Sequence, residues 1–235
     1  KFYEANESIS ERREEINTAF MTGAGAEAIF SHSLLMVEGE GDQLFFEMLR
    51  RRLARVDRGG KVDCAHVIAS GGKTQFSPWI SLFRSYLRGN ERPVKYLAAP
   101  DADAGSEVLK AFNDANQSVP QEIRDKISEM GQAKGEEDLQ KWQSVVEEVN
   151  SMCRQEGLQL QFLNVELEWA MLNEVEKEHI QAVCDKTGAE CSSREELINW
   201  LTADKPGRKA PWIRKFIGQN IPCREISTNV SNVLQ

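Results

Sequence analysis

The sequence predicts an α/β protein with a parallel sheet of about four strands, flanked by helices and followed by an α-helical extension. Three observations predict this class. Short apolar runs alternate three times with amphipathic helical segments, glycine or proline marks most of the changes between them, and the last third of the chain is helical in pattern. Strands that alternate with helices are typical of parallel sheets with helices on their faces.

The first strand is predicted over 33–37, because SLLMV is a continuous apolar run of the kind that is buried on both faces of a sheet. A helix follows over 42–56, where apolar residues recur on one helical face. The second strand, 62–69, leads through a glycine turn into a helix over 76–87, which tolerates Pro78 in its first turn.

The third strand is predicted over 94–99, and its helix over 104–113. Residues 121–156 are highly polar, so we interpret them as one or two solvated helices inserted into the core. Residues 158–165 alternate between apolar and polar and predict a fourth strand. Further helices are predicted near both ends of the chain, over 8–20, 24–30, 166–174, 178–186, 193–201 and 211–219.

These elements predict three regions: an N-terminal helical lead-in over 1–30, a core over 31–165 with a polar helical insertion near 118–157, and a C-terminal helical region over 166–235. The chain starts without Met, within a predicted helix. We therefore expect a fragment of a longer protein, although processing would give the same start.

Composition excludes several classes of protein. The net charge of −8, from 29 Lys and Arg against 37 Asp and Glu, argues against a protein that coats nucleic acid by bulk charge. No run approaches the roughly 18 apolar residues that a membrane span needs, so no membrane association is expected. The five cysteines form no CxxC pair, which disfavours a zinc site or a disulfide framework and favours a cytoplasmic location.

Acidic residues follow two of the predicted strands. Glu38 ends the first strand, and Asp101 and Asp103 follow the third. Because the carboxyl ends of parallel strands share one edge, these carboxylates are expected to lie together, where they repel one another unless a hard cation such as Mg²⁺ binds. The alternative is that the acids only cap turns and helices, with Asp42 and Asp103 at helix starts.

These residues resemble a known signature. The stretch 35–39 with Asp42, followed by Asp-x-Asp over 101–103, is similar to the Toprim motifs shared by primases, topoisomerases and several nucleases. The glycine turn and helix start over 69–76 resemble the Gly-Lys-x-x-Phe element of OLD (overcoming lysogenisation defect) family nucleases, and 26–30 resembles the lead-in to their first strand. The resemblance covers roughly residues 24–107.

The OLD resemblance implies a Toprim-type fold and a metal-dependent DNA endonuclease that hydrolyses phosphodiester bonds by a two-metal mechanism. It implies two Mg²⁺ or Mn²⁺ ions, with Ca²⁺ as a non-reactive substitute, and DNA as the partner. The family joins this region to an N-terminal ABC-type ATPase, whose phosphate-loop motif this sequence lacks. Homo-oligomerisation through that other region, and a role in phage defence, are expectations that come from the family alone.

The resemblance also assigns the metal ligands. The primary ligands are Glu38, Asp101 and Asp103. Asp42 lies one helical turn after Glu38 and is taken as a further ligand, although the family often has Glu there. Glu107, four residues after Asp103, faces the same edge and is a further candidate.

For a second ion, the stretch 166–170 is similar to the acidic helix of the family, and Glu166 aligns with its first acid. Glu168 points away from Glu166 on a helix, so we expect only one of them to be a ligand and prefer Glu166. The alternative for Glu166 is an acid at a helix N-terminus, where the helix dipole favours it.

Two basic clusters, 50–61 and 201–225, stand out in this acidic chain. The family carries a catalytic Lys in the second cluster, and Lys209 is assigned that role, with Lys205 second; Glu38 is also assigned a catalytic role. Lys73, in the glycine turn, is expected to hold phosphate together with backbone N–H groups. The remaining residues assigned to DNA contacts are Arg51, Arg52, Lys205 and Arg208. A solvated basic face is the alternative for either cluster.

Two other functions stay open. The first is primase or topoisomerase chemistry on a Toprim scaffold, but none of the three tyrosines, Tyr3, Tyr86 and Tyr96, lies in a setting typical of a nucleophile, and no zinc module is present. The second is a non-catalytic Toprim module that binds partners and keeps its acids as structural caps.

Overall fold

A three-stranded parallel sheet lies at the centre of the computed structural model. Its strands are β1 (Ser33–Val37), β2 (Ala65–Ala69) and β3 (Lys95–Ala98), in the order β2-β1-β3. The structure describes residues 28, 31, 33–56, 65–85, 95–115, 117–130, 139–163, 167–172, 175–203 and 211–225.

Helices cover both faces of this sheet. They are α1 (Glu40–Val56), α2 (Phe76–Ser85), α3 (Gly105–Asp114), α4 (Gln121–Met130), α5 (Leu139–Gln155), α6 (Leu167–Leu172), α7 (Lys177–Thr187), α8 (Arg194–Thr202) and α9 (Pro211–Asn220). The predicted α/β class, a parallel sheet flanked by helices, is confirmed. Among the helices described here, none combines the length and the apolar character that crossing a membrane requires. The predicted helix at 8–20 lies outside the described residues.

The two faces of β1 explain its continuous apolar run. Leu35 and Val37 pack in one core with α1 and with α6 to α9. Leu34 and Met36 pack in a second core with α2 to α5. Since successive side chains of a strand point to opposite faces, a strand that is covered on both sides needs apolar residues at every position.

The prediction of a fourth strand over 158–165 is wrong for its described part, 158–163, which forms no regular strand. Residues 159–163 run beside β3 in parallel, but only one bridge forms, between Ala98 and Leu160. The side chain of Asn150 on α5 replaces a further strand: it donates to Phe162 O at 2.8 Å and accepts from Phe162 N at 2.7 Å. Because the Asn150 side chain pairs with both the N–H and the C=O of Phe162, these backbone groups need no partner on a neighbouring strand.

In the polar segment 121–156, the described helices are not fully exposed to solvent. Its helices α4 and α5 each bury an apolar stripe in the second core, with Ile123 and Ile127 on α4 and Val146 and Val149 on α5. The polar residues that dominate the composition lie on the outer faces, as in any amphipathic helix. Helices α4 and α5 therefore form a layer of the fold. The proposed domain boundaries stay a prediction.

Helix α9 packs closely on α1, and Gly218 permits the contact. A Cβ at position 218 would lie 2.8 Å from Phe45 O and 3.2 Å from Met48 Cβ. Distances below 3 Å require the backbones to separate. The last described helix is therefore held tightly against the helix that follows β1.

We predict that Gly218→Ala destabilises the protein. In an exposed helix this change stabilises by about 1 kcal/mol, but here the added methyl overpacks the contact at a cost of about 1–3 kcal/mol. The measurement is the melting temperature, which moves by about 2–4 °C for each kcal/mol in a chain of this size. The neighbouring Gln219→Ala is the control, with an expected change within about 0.5 kcal/mol. Equal or higher stability of Gly218→Ala would contradict the packing described.

Candidate functional site

An acidic cleft of about 570 Å³ opens where the strands of the sheet end. Its lining includes two cations, Lys73 and Arg214, and six acids. The acids are Glu38, Glu40, Asp42, Asp101, Asp103 and Glu168. Because β1, β2 and β3 are parallel, the residues that directly follow them reach a common edge, to which α6 adds Glu168 and α9 adds Arg214. The predicted meeting of Glu38, Asp101 and Asp103 at this edge is observed.

Glu38 is positioned by the glycine turn after β2. Its carbonyl oxygen accepts hydrogen bonds from Gly72 N at 2.8 Å and Gly71 N at 3.2 Å, and from the hydroxyl of Ser70 at 3.2 Å. Gly71 and Gly72 have φ of +97° and +116°, a conformation that glycine adopts without strain. Backbone N–H groups of this turn were predicted to help Lys73 hold phosphate, but those of Gly71 and Gly72 donate to Glu38 O.

Partial burial raises the pKa of the Glu38 carboxyl, and the negative charges of Asp103 and Asp42 raise it further. The carboxyl group of Glu38 therefore interacts electrostatically with its acidic neighbours in the cleft. Like charges brought together in a partly dry site disfavour one another's ionised form, and a cation bound among them removes that penalty.

Asp101 is half-buried in the lining of the cleft. Its Oδ1 is buried and has no hydrogen-bond partner among the described residues. Burial raises the pKa of Asp101 well above its ordinary value, and the charges of Asp42, Glu168 and Glu38 add to the effect. A buried carboxylate without a donor or a cation is costly, so this oxygen marks the place where a bound cation would be most effective.

The capping alternative receives no support at Asp101 and Asp103. Asp101 occupies the N-cap position of the short 3₁₀ turn Ala102–Ala104, but its side chain makes no capping hydrogen bond. The N-cap of α3 is Ala104, so Asp103 does not cap that helix. Neither aspartate has the backbone contact that a structural cap requires.

Asp103 is paired with Lys73 at the mouth of the cleft. Lys73 Nζ lies 2.7 Å from Asp103 Oδ2, and the two side chains are 44% and 58% exposed. The hydrogen bond to Asp103 raises the pKa of Lys73, against a smaller opposing effect of burial. Exposed pairs of this kind contribute at most about 1 kcal/mol. A divalent ion can therefore compete with Lys73 for Asp103.

Asp42 and Glu168 are paired with Arg214. Asp42 accepts from Gly39 N at 2.8 Å through Oδ2 and from Arg214 Nη1 through Oδ1. Arg214 Nη2 donates to Glu168 Oε1 at 2.5 Å. Burial alone would lower the pKa of Arg214, but the charges of Asp42 and Glu168 raise it above its ordinary value. The bond to Gly39 N also gives Asp42 part of the capping role considered from the sequence.

Arg214 is a site residue that the sequence prediction missed, as is Glu40, which also lines the cleft. Arg214 lies on α9 between Ile213 and Ile217, which are both buried. A cation on the apolar stripe of a helix needs an anionic partner, and that pattern was the available signal. Gly41 makes room for its side chain, because a Cβ there would lie 2.8 Å from Arg214 Cδ.

The other predicted site residues have varied positions. Glu107 lies in the first turn of α3 and is not part of the cleft lining. Arg52 donates through Nη1 to Gly218 O at 2.9 Å and Ile221 O at 2.5 Å, which ties α1 to the end of α9. Arg51 is exposed, 3.9 Å from Glu47. The remaining predicted residues lie outside the described part of the chain: Glu166, Lys205, Arg208 and Lys209.

The acid expected near a second ion therefore differs in part from the prediction. The sequence favoured Glu166 over Glu168, and the structure describes Glu168, which is buried and lines the cleft. Whether Glu166 also contributes stays a prediction. The preference for Glu166 rests on the family resemblance. The burial of Glu168 depends on how α6 packs, with Leu167 and Met171 in the first core.

The cleft fits a hydrated divalent ion better than a closed cage of protein ligands. No three of its described carboxylates bring one oxygen each within 4.8 Å of one another; the triplet that does so within the described chain is Glu176, Glu178 and His179, outside the cleft. Mg²⁺ keeps several waters and needs only one or two carboxylates. The unpartnered Asp101 Oδ1 and the raised pKa of Glu38 fit such an ion.

No family model matches the chain, and no curated protein matches it. Among solved structures, the chain resembles the C-terminal region of the OLD protein of Xanthomonas campestris pv. campestris. The identity is 15%, the match covers 87% of this chain and 93% of that chain, and the TM-score is 0.48. Similarity at this level carries no information on the chemistry of the cleft.

We predict that Asp101→Asn raises the melting temperature of the metal-free protein at pH 8. The pKa of Asp101 is raised in the folded state, so its ionisation opposes folding. That penalty is complete above the folded pKa and is relieved as the pH falls through it toward the unfolded value of about 3.9. The gain of Asp101→Asn should therefore shrink as the pH is lowered. Melting curves with EDTA between about pH 8 and pH 4 measure it.

The control for this comparison is Asp125→Asn, the same chemical change at an exposed position on α4. It should leave the melting temperature almost unchanged at every pH. If the native protein proves more stable than Asp101→Asn at pH 8 without metal, Asp101 has a stabilising partner that the structure does not show.

Proposed function

We propose that the chain is a metal-dependent DNA endonuclease that hydrolyses phosphodiester bonds. One observation carries the proposal: three acids from the ends of two parallel strands meet in the acidic cleft, and one of them, Asp101, has a buried oxygen without a partner among the described residues. Cation-dependent phosphoryl chemistry needs such an oxygen-rich, partly dry site. The resemblance of the motifs to OLD family nucleases supports DNA as the substrate.

Glu38, Asp101 and Asp103 are the residues that would hold Mg²⁺ or Mn²⁺, with Ca²⁺ as a non-reactive substitute. A bound divalent ion would supply Lewis-acid stabilisation of a phosphate oxygen and a more acidic water. Lys73 reaches Asp103 across the mouth of the cleft. If Asp103 were engaged by such an ion, Lys73 would be free to bind the phosphate backbone, which is the role that the sequence predicts for it.

Further parts of the proposal rest on the resemblance. Lys209, or Lys205 in second place, would stabilise the charge that develops on the phosphate. Arg51, exposed on α1, and Arg208 would contact DNA, whereas Arg52 is committed to the carbonyl groups at the end of α9. An ABC-type ATPase partner domain, a cytoplasmic location and a role in phage defence belong to the proposal on the same basis.

The competing functions receive less support. Topoisomerase chemistry needs a nucleophilic tyrosine, and Tyr96 lies on β3 with its ring stacked on Phe83 at 5.7 Å between centroids, while Tyr3 and Tyr86 lie outside the described residues. A non-catalytic module that keeps its acids as caps is disfavoured by the missing capping bonds of Asp101 and Asp103.

The test is the nicking of supercoiled plasmid DNA with Mg²⁺ or Mn²⁺. We expect cleavage by the native chain, none with EDTA, and a loss of about 10²-fold or more in Asp101→Asn, a decrease of the size seen when a stabilising group is removed from an active site. Asp125→Asn is the matched control and should cleave like the native chain. Full cleavage by Asp101→Asn would rule out the proposed site.

A further inference from the structure

The two cations of the acidic cleft are held in different ways. Lys73 and Asp103 form an exposed pair, with side chains 44% and 58% accessible. Arg214 and its partners are almost enclosed: Arg214 is 15% exposed, Asp42 is 7% exposed and Glu168 is 5% exposed. Only the first pair is open to replacement by an ion from solvent.

In the buried group, both oxygens of Asp42 and both terminal nitrogens of Arg214 are paired, whereas Arg214 Nε is buried without a partner among the described residues. Asp42 uses Oδ2 for Gly39 N and Oδ1 for Arg214 Nη1, so both of its oxygens are occupied. The other terminal nitrogen of Arg214 binds Glu168. A planar guanidinium presents two such nitrogens at a fixed separation, which suits it to bridge two carboxylates as a single cation.

The side chain of Arg214 fills a space at the contact between its own helix, α9, and α1. Gly41 at the start of α1 leaves the space that the Arg214 side chain fills, because a Cβ there would clash with Arg214 Cδ at 2.8 Å. One turn further along α9, Gly218 seats the helix against Phe45 O. An incoming ion would have to expel a side chain around which the contact of α1 and α9 is built.

We propose that the guanidinium of Arg214 takes the place of a second divalent ion, so that the acidic cleft binds one hydrated ion, which lies among Glu38, Asp101 and Asp103. This inference rests on the proposed metal-dependent function and changes its expected two-ion stoichiometry. Asp42 and Glu168 then act as partners of Arg214 rather than as ligands. Arg214 is a positioning residue, which neutralises Asp42 and Glu168 and leaves Glu38, Asp101 and Asp103 to the ion.

The experiment counts Mn²⁺ ions per chain by isothermal titration calorimetry, with free Mn²⁺ measured by electron paramagnetic resonance, in the absence of DNA. We expect one ion for the native chain. Arg214→Lys keeps the positive charge and should still bind one ion. Arg214→Met removes the charge while retaining much of the side-chain volume, so a second ion should enter between Asp42 and Glu168.

Arg214→Met leaves two buried acids without a partner and can fail to fold, so a second variant is needed. The triple variant Asp42→Asn, Glu168→Gln, Arg214→Met removes all three charges together. It should bind one ion, since the proposed ligands are intact, and circular dichroism checks its fold.

The outcomes separate this inference from the proposed function. Two ions on the native chain, or none on a folded triple variant, would overturn the role of Arg214 while leaving metal dependence in place. A folded Arg214→Met protein that still binds one ion would also contradict it. A native chain that binds no Mn²⁺ would overturn the proposed function itself.

Discussion

The repulsion among carboxylates at one edge of the sheet is the constraint on which the rest of the site depends. Parallel pairing of β1 with β3 brings Glu38 close to Asp101 and Asp103, and the start of α1 adds Asp42. These acids raise the pKa of Asp101 and Glu38 after burial has already done so. Each of the cleft's other contacts can be understood as a way to offset that repulsion.

The protein offsets it with cations from two distant parts of the chain. Lys73 follows β2 and stays exposed, so its pair with Asp103 is weak and exchangeable. Arg214 comes from α9, and its pair with Asp42 links residues far apart in sequence. Because α9 also packs on α1 through Gly218, the C-terminal helices support the sheet edge both by packing and by charge.

Local patterns were sufficient to predict the sheet and its acids. The run SLLMV is apolar at every position because β1 is covered on both faces, and Glu38, Asp101 and Asp103 follow strands directly. Contacts between distant segments were not predictable in the same way. Asn150 replaces strand pairing at Phe162, and Arg214 joins Asp42 to Glu168, and neither partnership is visible in the order of residues. The apolar stripes of α4 were hidden by the charged residues on its outer face.

The central claim is that a divalent ion binds at the unpartnered oxygen of Asp101 while Arg214 stays in place. A crystal grown with Mn²⁺ and measured at the manganese absorption edge tests it directly. The account predicts an anomalous peak within coordination distance of Asp101 Oδ1, with the Arg214 guanidinium still between Asp42 and Glu168. Absence of a peak at Asp101, or a peak between Asp42 and Glu168 with Arg214 displaced, would contradict it.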